Sequence, residues 1–313
     1  MGLINLQKKV VMFVKSVEGL RFQEILFINI KRGAGYIMWL IQIADIHNAS
    51  KYTMEKMKKI STEMAIVINN HVKENELLVF VICGDIINQG KEHGFEETKD
   101  FLNIITSKIN SKNIKYIICP GNHDIVNGLG RKSFKELDKF IFDLSLTSEV
   151  SFQKDSVNIV SVNKIDFLII NSSYHFNQNY GKIDLEKLKK VLDISENEEK
   201  VIVLHHHLIP MREGENSTVV NTYEFLKMLE GYKILAILHG HQHMKIEMRM
   251  GSDSYQIIGV GSILANIETN YNNQFNLIKI DEKKITKKLE FKFTMEEMGD
   301  SAIGKFIEKK ICS

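Results

Sequence analysis

The stretch Leu77-Leu78-Val79-Phe80-Val81-Ile82-Cys83-Gly84-Asp85-Ile86-Ile87-Asn88 runs through seven apolar residues, then breaks at a glycine followed by a carboxylate. An apolar run of that length, with no polar alternation, fits a strand buried on both faces, as in parallel sheets. The glycine permits a tight turn, so the strand delivers an aspartate at its C-terminal end. The same grammar recurs along the chain. Residues 36–44 are mostly apolar and stop at Asp45-Ile46-His47, and 114–119 end in Pro120-Gly121-Asn122-His123-Asp124. Residues 201–204 run into His205-His206-His207, and 234–238 into His239-Gly240-His241-Gln242-His243.

Helical patterns separate these runs. Residues 51–74 place Met54, Met57, Ile60, Met64, Val67 and Ile68 at helical spacing. Further helices are expected over 95–109, 132–146, 185–192 and 222–229, with a hairpin over 157–162 and 165–170. Strands are expected over 245–250, 255–259 and 275–280, and a closing helix over 296–313. Strands alternating with helices define an α/β domain, here covering residues 36–313. Residues 1–35 form an N-terminal extension, partly helical, whose stripe of Ile4, Val10, Val11, Phe13, Val14, Val17 and Leu20 suits packing better than membrane anchoring.

The 313 residues are 44% hydrophobic and 26% charged, enough for a sizeable core. A formal net charge of +2 supplies no basic field for nucleic acid or membrane. Three cysteines, Cys83, Cys119 and Cys312, without knuckle spacing, fit a reduced setting, and no apolar run approaches a transmembrane length. A soluble, cytoplasmic protein is expected; the oligomeric state is left open.

Eight of the 11 histidines (His47, His123, His205, His206, His207, His239, His241 and His243) follow apolar runs directly or by one turn. Ligands at strand C-terminal ends are where open α/β sheets build their sites. Asp45 and His47, or His241 and His243, in extended backbone would point the same way and reach one cation. Asp85 sits in a glycine turn, and Asn122, His123 and Asp124 share a loop. Each motif alone is common in turns and surfaces; five in series at strand ends are not. Carboxylates, an amide and imidazoles together suit Zn, Fe or Mn rather than Ca.

The series Asp45-Ile46-His47, Gly84-Asp85-Ile86-Ile87-Asn88, Gly121-Asn122-His123-Asp124, Leu204-His205-His206 and Gly240-His241-Gln242-His243 resembles the calcineurin-like metallophosphoesterases over about residues 36–281. The resemblance implies a four-layer αββα sandwich of two mixed β-sheets flanked by helices, with two divalent or trivalent metal ions on the loops at one end. One ion falls to Asp45, His47, Asp85 and His243. The other falls to Asp85, Asn122, His205 and His241, with Asp85 bridging and His206 the alternative to His205. Two ions about 3.5–4 Å apart clamp phosphate oxygens and acidify a bridging water to a hydroxide. His123 is then free to contact the phosphate and protonate the leaving oxygen, with Asp124 orienting it and Asn88 shaping the Asp85 turn.

The implied activity is hydrolysis of small phosphoesters, with the cyclic-nucleotide phosphodiesterase branch foremost. This chain departs from that branch's usual His-His-Pro by placing Pro210 later. A nuclease, a protein phosphatase and a non-catalytic scaffold are the alternatives. The roles of His206, His207 and His239 stay open, and His175, after Asn171-Ser172-Ser173 at a strand end, is a weaker pocket candidate.

Overall fold

Each unbroken apolar run becomes a buried parallel strand. The computed structural model describes residues 37–48, 54–128, 131–145, 149–244, 246–250, 255–264, 273–298 and 301–309; the expected extension over 1–35 lies outside them. Strands β1 (Met38–Ile43), β2 (Leu77–Cys83) and β3 (Ile114–Cys119) are parallel neighbours, connected by helices α1 (Met54–His71) and α2 (Gly94–Lys108). A short hairpin, β4 (Val126–Gly128) and β5 (Arg131–Ser133), precedes α3 (Lys135–Ser145). In the second half β6 (Val157–Val162), β7 (Ile165–Ile170), α4 (Leu185–Ile194), β8 (Glu199–Val203), α5 (Thr222–Met228) and β9 (Lys233–His239) follow in turn. The chain continues through β10 (Ile246–Met250), β11 (Tyr255–Gly259), β12 (Gln274–Asp281), β13 (Lys284–Met298) and β14 (Ser301–Lys309). Two six-stranded mixed sheets result, ordered β14-β13-β12-β1-β2-β3 and β10-β11-β9-β8-β7-β6.

The period-2 pleat sorts side chains into layers. Phe167 and Ile169 of β7, Val201 and Val203 of β8, and Ala236 and Leu238 of β9 share one core with the first sheet. Their neighbours Leu168, Ile170, Ile202 and Ile237 face the opposite way, onto Leu188, Val191 and Leu192 of α4 and Phe225 of α5. Beyond the first sheet, Phe101 and Ile105 of α2 and Leu137 of α3 are buried. This is the four-layer αββα sandwich. Burial of each such side chain contributes about 1.5–3 kcal/mol. Asp184 caps α4 by accepting the Lys187 N–H at 3.0 Å. Between the sheets, buried Gln42 donates to the carbonyls of Ile258 (2.8 Å) and His239 (3.2 Å) and accepts from Asn276 (2.9 Å). This hydrogen-bond chain fixes the register of one sheet on the other directly beneath the site.

The C-terminal segment corrects an expectation. Residues 301–309 form strand β14, not a closing helix. β13 buries Leu289, Phe291 and Phe293 at alternate positions, and Phe306 of β14, opposite Phe293, packs edge-on against it at 5.2 Å. An edge strand paired to a partner chosen by tertiary packing leaves little local signal, whereas the spacing of Lys305, Glu308 and Lys309 mimics a helix face.

Candidate metal centre

All five ligand-bearing loops leave the C-terminal ends of β1, β2, β3, β8 and β9, and they meet at one end of the sandwich. The Asp45 N–H donates to Gly84 O and the His47 N–H to Asp85 O, both at 3.0 Å, so the first two loops run paired. The Gly240 N–H donates to His205 O at 3.1 Å, and the His241 N–H to Asp45 Oδ2 at 2.9 Å, which links the second sheet to the first. A Cβ on Gly121 would lie 2.1 Å from Asp85 Oδ1; the loop after β3 reaches the aspartate because that position has no side chain.

The backbone here is not the extended one expected. Asp45 (φ 52°), His47 (51°), Asp85 (52°), His241 (75°) and His243 (53°) all lie in the left-handed region. Such residues are uncommon outside glycine and cluster at functional sites. Asp45 and His47 therefore reach a common point through consecutive left-handed bends rather than through a strand pleat, and so do His241 and His243.

The side chains gather into two halves. In one, His47 Nε2 and His243 Nε2 are 3.1 Å apart, and His243 Nε2 is 3.3 Å from Asp45 Oδ1. That oxygen is buried and accepts no well-formed hydrogen bond. In the other, His205 Nε2 lies 3.1 Å from Asn122 Oδ1, 3.0 Å from His241 Nδ1 and 3.3 Å from Asp85 Oδ2. Asp85 Oδ2 is also 3.8 Å from His47 Nε2, while Oδ1 is taken by the His123 N–H at 2.8 Å. A single carboxylate oxygen thus faces both halves.

Hydrogen-bond chemistry says what this arrangement needs. His205 Nδ1 sits 2.8 Å from Cys83 O, which can only accept, so Nδ1 carries the hydrogen and a neutral ring presents a lone pair at Nε2. The Asn122 amide nitrogen donates to Gln178 O at 3.2 Å, which turns Oδ1 toward the same point. Lone pairs of His205, Asn122, Asp85 and His241 therefore converge, and a cation resolves their repulsion. Without one, a proton partly does. Burial disfavours charge on His205, but Asp85, Asp45 and the Cys83 carbonyl outweigh it and push the ring up to about 9. Burial, with the neighbouring His205 charge, depresses His241 to about 3. Burial alone would raise Asp85; the imidazoles of His205, His123 and His47 hold it well below the usual carboxylate range. The residues fit a pair of metal ions.

His123 stands beside this cluster, its ring 4.8 Å from that of His47. Its Nδ1 accepts the Gln89 N–H at 3.2 Å, so a neutral ring carries its hydrogen on Nε2. The expected partner of His123 was Asp124, and here the structure corrects the sequence reading. Asp124 Oδ1 accepts the N–H groups of Ile86 (2.8 Å) and Ile87 (3.0 Å), and Oδ2 that of Gly121 (2.8 Å). Asp124 thus shapes the Asp85 turn, the task assigned to Asn88, because a short carboxylate buried under two loops meets their unpaired N–H groups first. Burial and the adjacent Asp85 raise it to about 7, against the pull of those N–H donors.

Of the three consecutive histidines, His205 and not His206 turns toward Asp85. His206 is fully buried with Nδ1 2.8 Å from Ser172 Oγ. His207 lies 3.2 Å from Glu215 and stacks on His241 at 5.4 Å. His239 is buried against Gly240 O and lowered to about 4 by burial. His175 packs against Tyr180 at 4.9 Å. Sequence reading missed Gln89, Gln178, Ser172 and Glu215, all loop residues that act on the site through other side chains and belong to no motif.

The profile of the calcineurin-like phosphoesterases matches residues 38–245, and the chain belongs to that family of metal-dependent hydrolases. A protein of Vesicomyosocius okutanii named probable cyclic nucleotide phosphodiesterase is 28% identical over 214 residues, 67% of this chain and 80% of its own length. One of the same name from Coxiella burnetii is 24% identical over 210 residues, 65% and 75% of the two chains. Among solved structures, a dimetal phosphatase from Danio rerio superposes with a TM-score of 0.54 at 13% identity, covering 87% of this chain and 98% of its own. A purple acid phosphatase from yellow lupin gives 0.52 at 11%, covering 81% and 53%. No helix among the described residues is long and apolar enough to cross a membrane.

Proposed function

We propose that the chain hydrolyses small phosphodiesters, cyclic nucleotides foremost, at a centre of two transition-metal ions. The observation that carries this is the shared Asp85 Oδ2, facing His205 at 3.3 Å on one side and His47 at 3.8 Å on the other. Asp45, His47 and His243 would hold one ion with Asp85; Asn122, His205 and His241 would hold the other with it. The mixed imidazole, carboxylate and amide donors suit Mn, Fe or Zn. When bound, such ions neutralise phosphate charge and make a water nucleophilic at neutral pH. The protein's own part in bond cleavage falls to His123. With Nδ1 accepting the Gln89 N–H, it would present its Nε2–H as a hydrogen bond to the charge developing on the departing ester oxygen.

The cyclic-nucleotide substrate is supported by the names of the two curated relatives. A net charge of +2 offers no steering field for a nucleic-acid polymer. The test is turnover with Mn²⁺ on cyclic nucleotides, an aryl phosphodiester, an aryl phosphomonoester and single-stranded DNA, by wild type and His123→Ala. We expect the diesters to be cleaved. Loss of His123 should slow an alkyl-leaving-group ester by about 10²–10⁴-fold, and an acidic phenol less, with metal content unchanged. Preference for DNA would make the enzyme a nuclease, and equal losses on both leaving groups would remove His123 as the hydrogen-bond donor to the departing oxygen.

A further inference from the structure

Gln242 lies between His241 and His243, two left-handed residues whose imidazoles serve opposite halves of the centre. Strained backbone of this kind persists only where the surroundings over-determine it. The Gln242 N–H closes the turn on Gly240 O at 3.0 Å. Its side-chain amide enters a polar cluster made by a different loop, between β8 and α5. There the amide nitrogen bonds Glu215 Oε1 and lies 2.9 Å from His207 Nε2 and 3.4 Å from Ser217 Oγ.

Glu215 is the hub of that cluster. Its side chain is 4% exposed. Oε1 also faces His207 Nε2 at 3.2 Å and accepts from Ser217 Oγ at 3.2 Å, while Oε2 accepts the Met211 N–H at 2.5 Å. A carboxylate only accepts, so Gln242 must present its nitrogen to it, and its orientation is fixed. His207, gripped by the same oxygen, lies nearly parallel to His241, the ring planes 20° apart. One carboxylate therefore holds both the residue between two ligands and the ring that backs one of them.

We propose that Glu215 is a positioning residue of the metal centre, keeping the His241–His243 turn in the conformation that aims its two imidazoles. This rests on the metal reading above. The loop has independent anchors: the Gly181 N–H donates to Thr218 O (2.9 Å) and the Val219 N–H to His207 O (3.0 Å). Removing the carboxylate should therefore disturb the ligand turn more than the fold.

The test is Co²⁺ titration of full-length wild type, Glu215→Ala, Glu215→Gln and Gln242→Ala, read by visible absorption, with circular dichroism to confirm folding. Outer-shell partners of metal ligands are typically worth about 10–100-fold in affinity. Glu215→Ala should lose that much and shift the Co²⁺ bands. Glu215→Gln, which keeps one acceptor oxygen, should restore most of the affinity. Gln242→Ala should reproduce the defect, and the double variant should add little to it, since both act through one contact. Folded Glu215→Ala with wild-type affinity and spectrum would overturn the proposal, as would lowered thermal stability with Co²⁺ binding unchanged. If Glu215→Ala does not fold, Gln242→Ala decides by the same criteria. Two Co²⁺ in the wild type with undisturbed variants would sink this proposal alone; no Co²⁺ in the wild type would sink the metal reading and this with it.

Discussion

The two halves of the centre are preorganised by different means. The half containing Asn122, His205 and His241 is set mainly by hydrogen bonds, with left-handed backbone at His241 alone. Cys83 O fixes the tautomer of a His205 ring with 0% exposure, and Gln178 O fixes the Asn122 amide. The half containing Asp45, His47 and His243 is more open, with His47 and His243 side chains 18% and 28% exposed. Its aim comes from left-handed backbone at all three residues. Hydrogen bonds to fixed carbonyls hold a ligand against thermal motion more cheaply than strain does. The first half should bind its ion tightly and the second should exchange it.

The largest effect should come from the atom the halves share. Asp85→Asn keeps the size of the side chain but removes the negative charge at Oδ2, which faces both His205 and His47. Metal content and turnover measured on one preparation should fall together, by more than the 10–100-fold or so typical of an outer-shell change. A variant that keeps the buried ion and loses only the other would show that Asp85 is not shared.

Next comes the asymmetry itself. His243→Ala should leave about one ion per chain and a nearly unchanged thermal midpoint, because the ring is partly exposed and on a surface loop. His205→Ala should cost metal and also stability, since it empties a fully buried position and leaves Cys83 O without its donor. Elemental analysis and calorimetry on both variants give the comparison. Identical profiles would abolish the distinction between the halves.

Much of this centre was legible in the chain because strand-end syntax is local. Seven apolar residues, a glycine and Asp85 specify a buried strand and the loop after it, and the same holds at Asn122, His205 and His241. The left-handed conformations were not legible, since aspartate and histidine in place of glycine hide a positive φ. Nor was the reassignment of Asp124: whether it reaches His123 or the N–H groups of Ile86 and Ile87 depends on how two loops stack, which no spacing encodes. Glu215 carried no signal at all, being one acidic residue in a polar loop. β14 was misread for a related reason, because its pairing is chosen by Phe275, Phe293 and Phe306 across the sheet.

The smallest effect is a pH dependence steepest in the metal-free protein, and it belongs mainly to the hydrogen-bonded half. Burial opposes a charge on His205, yet Asp85, Asp45 and the Cys83 carbonyl push it up to about 9. An unfolded histidine titrates near 6.5. The folded state therefore binds the extra proton, and the stability this contributes is fully present below about pH 6.5 and lost as pH rises through about 9. His239 (about 4) and His241 (about 3), lowered by burial, act in the opposite sense. Their effect raises stability with pH only until unfolded histidines are neutral, which is complete by about pH 7.5. Between roughly pH 7.5 and 9.5 the midpoint of chelator-treated protein should therefore fall, through His205 and, in the same sense, through the Cys83 and Cys119 thiols that burial raises. Metal-loaded protein should fall less steeply, because a cation then occupies the place of the His205 proton, and loading in this window should release a proton to the buffer. Thermal scans at several pH values, with and without chelator, together with calorimetric proton counting, provide the measurement. A flat midpoint in the metal-free protein would mean that the converging lone pairs of His205, Asn122 and His241 are relieved by movement rather than by a proton. A parallel fall in the loaded protein would locate the titration outside this half.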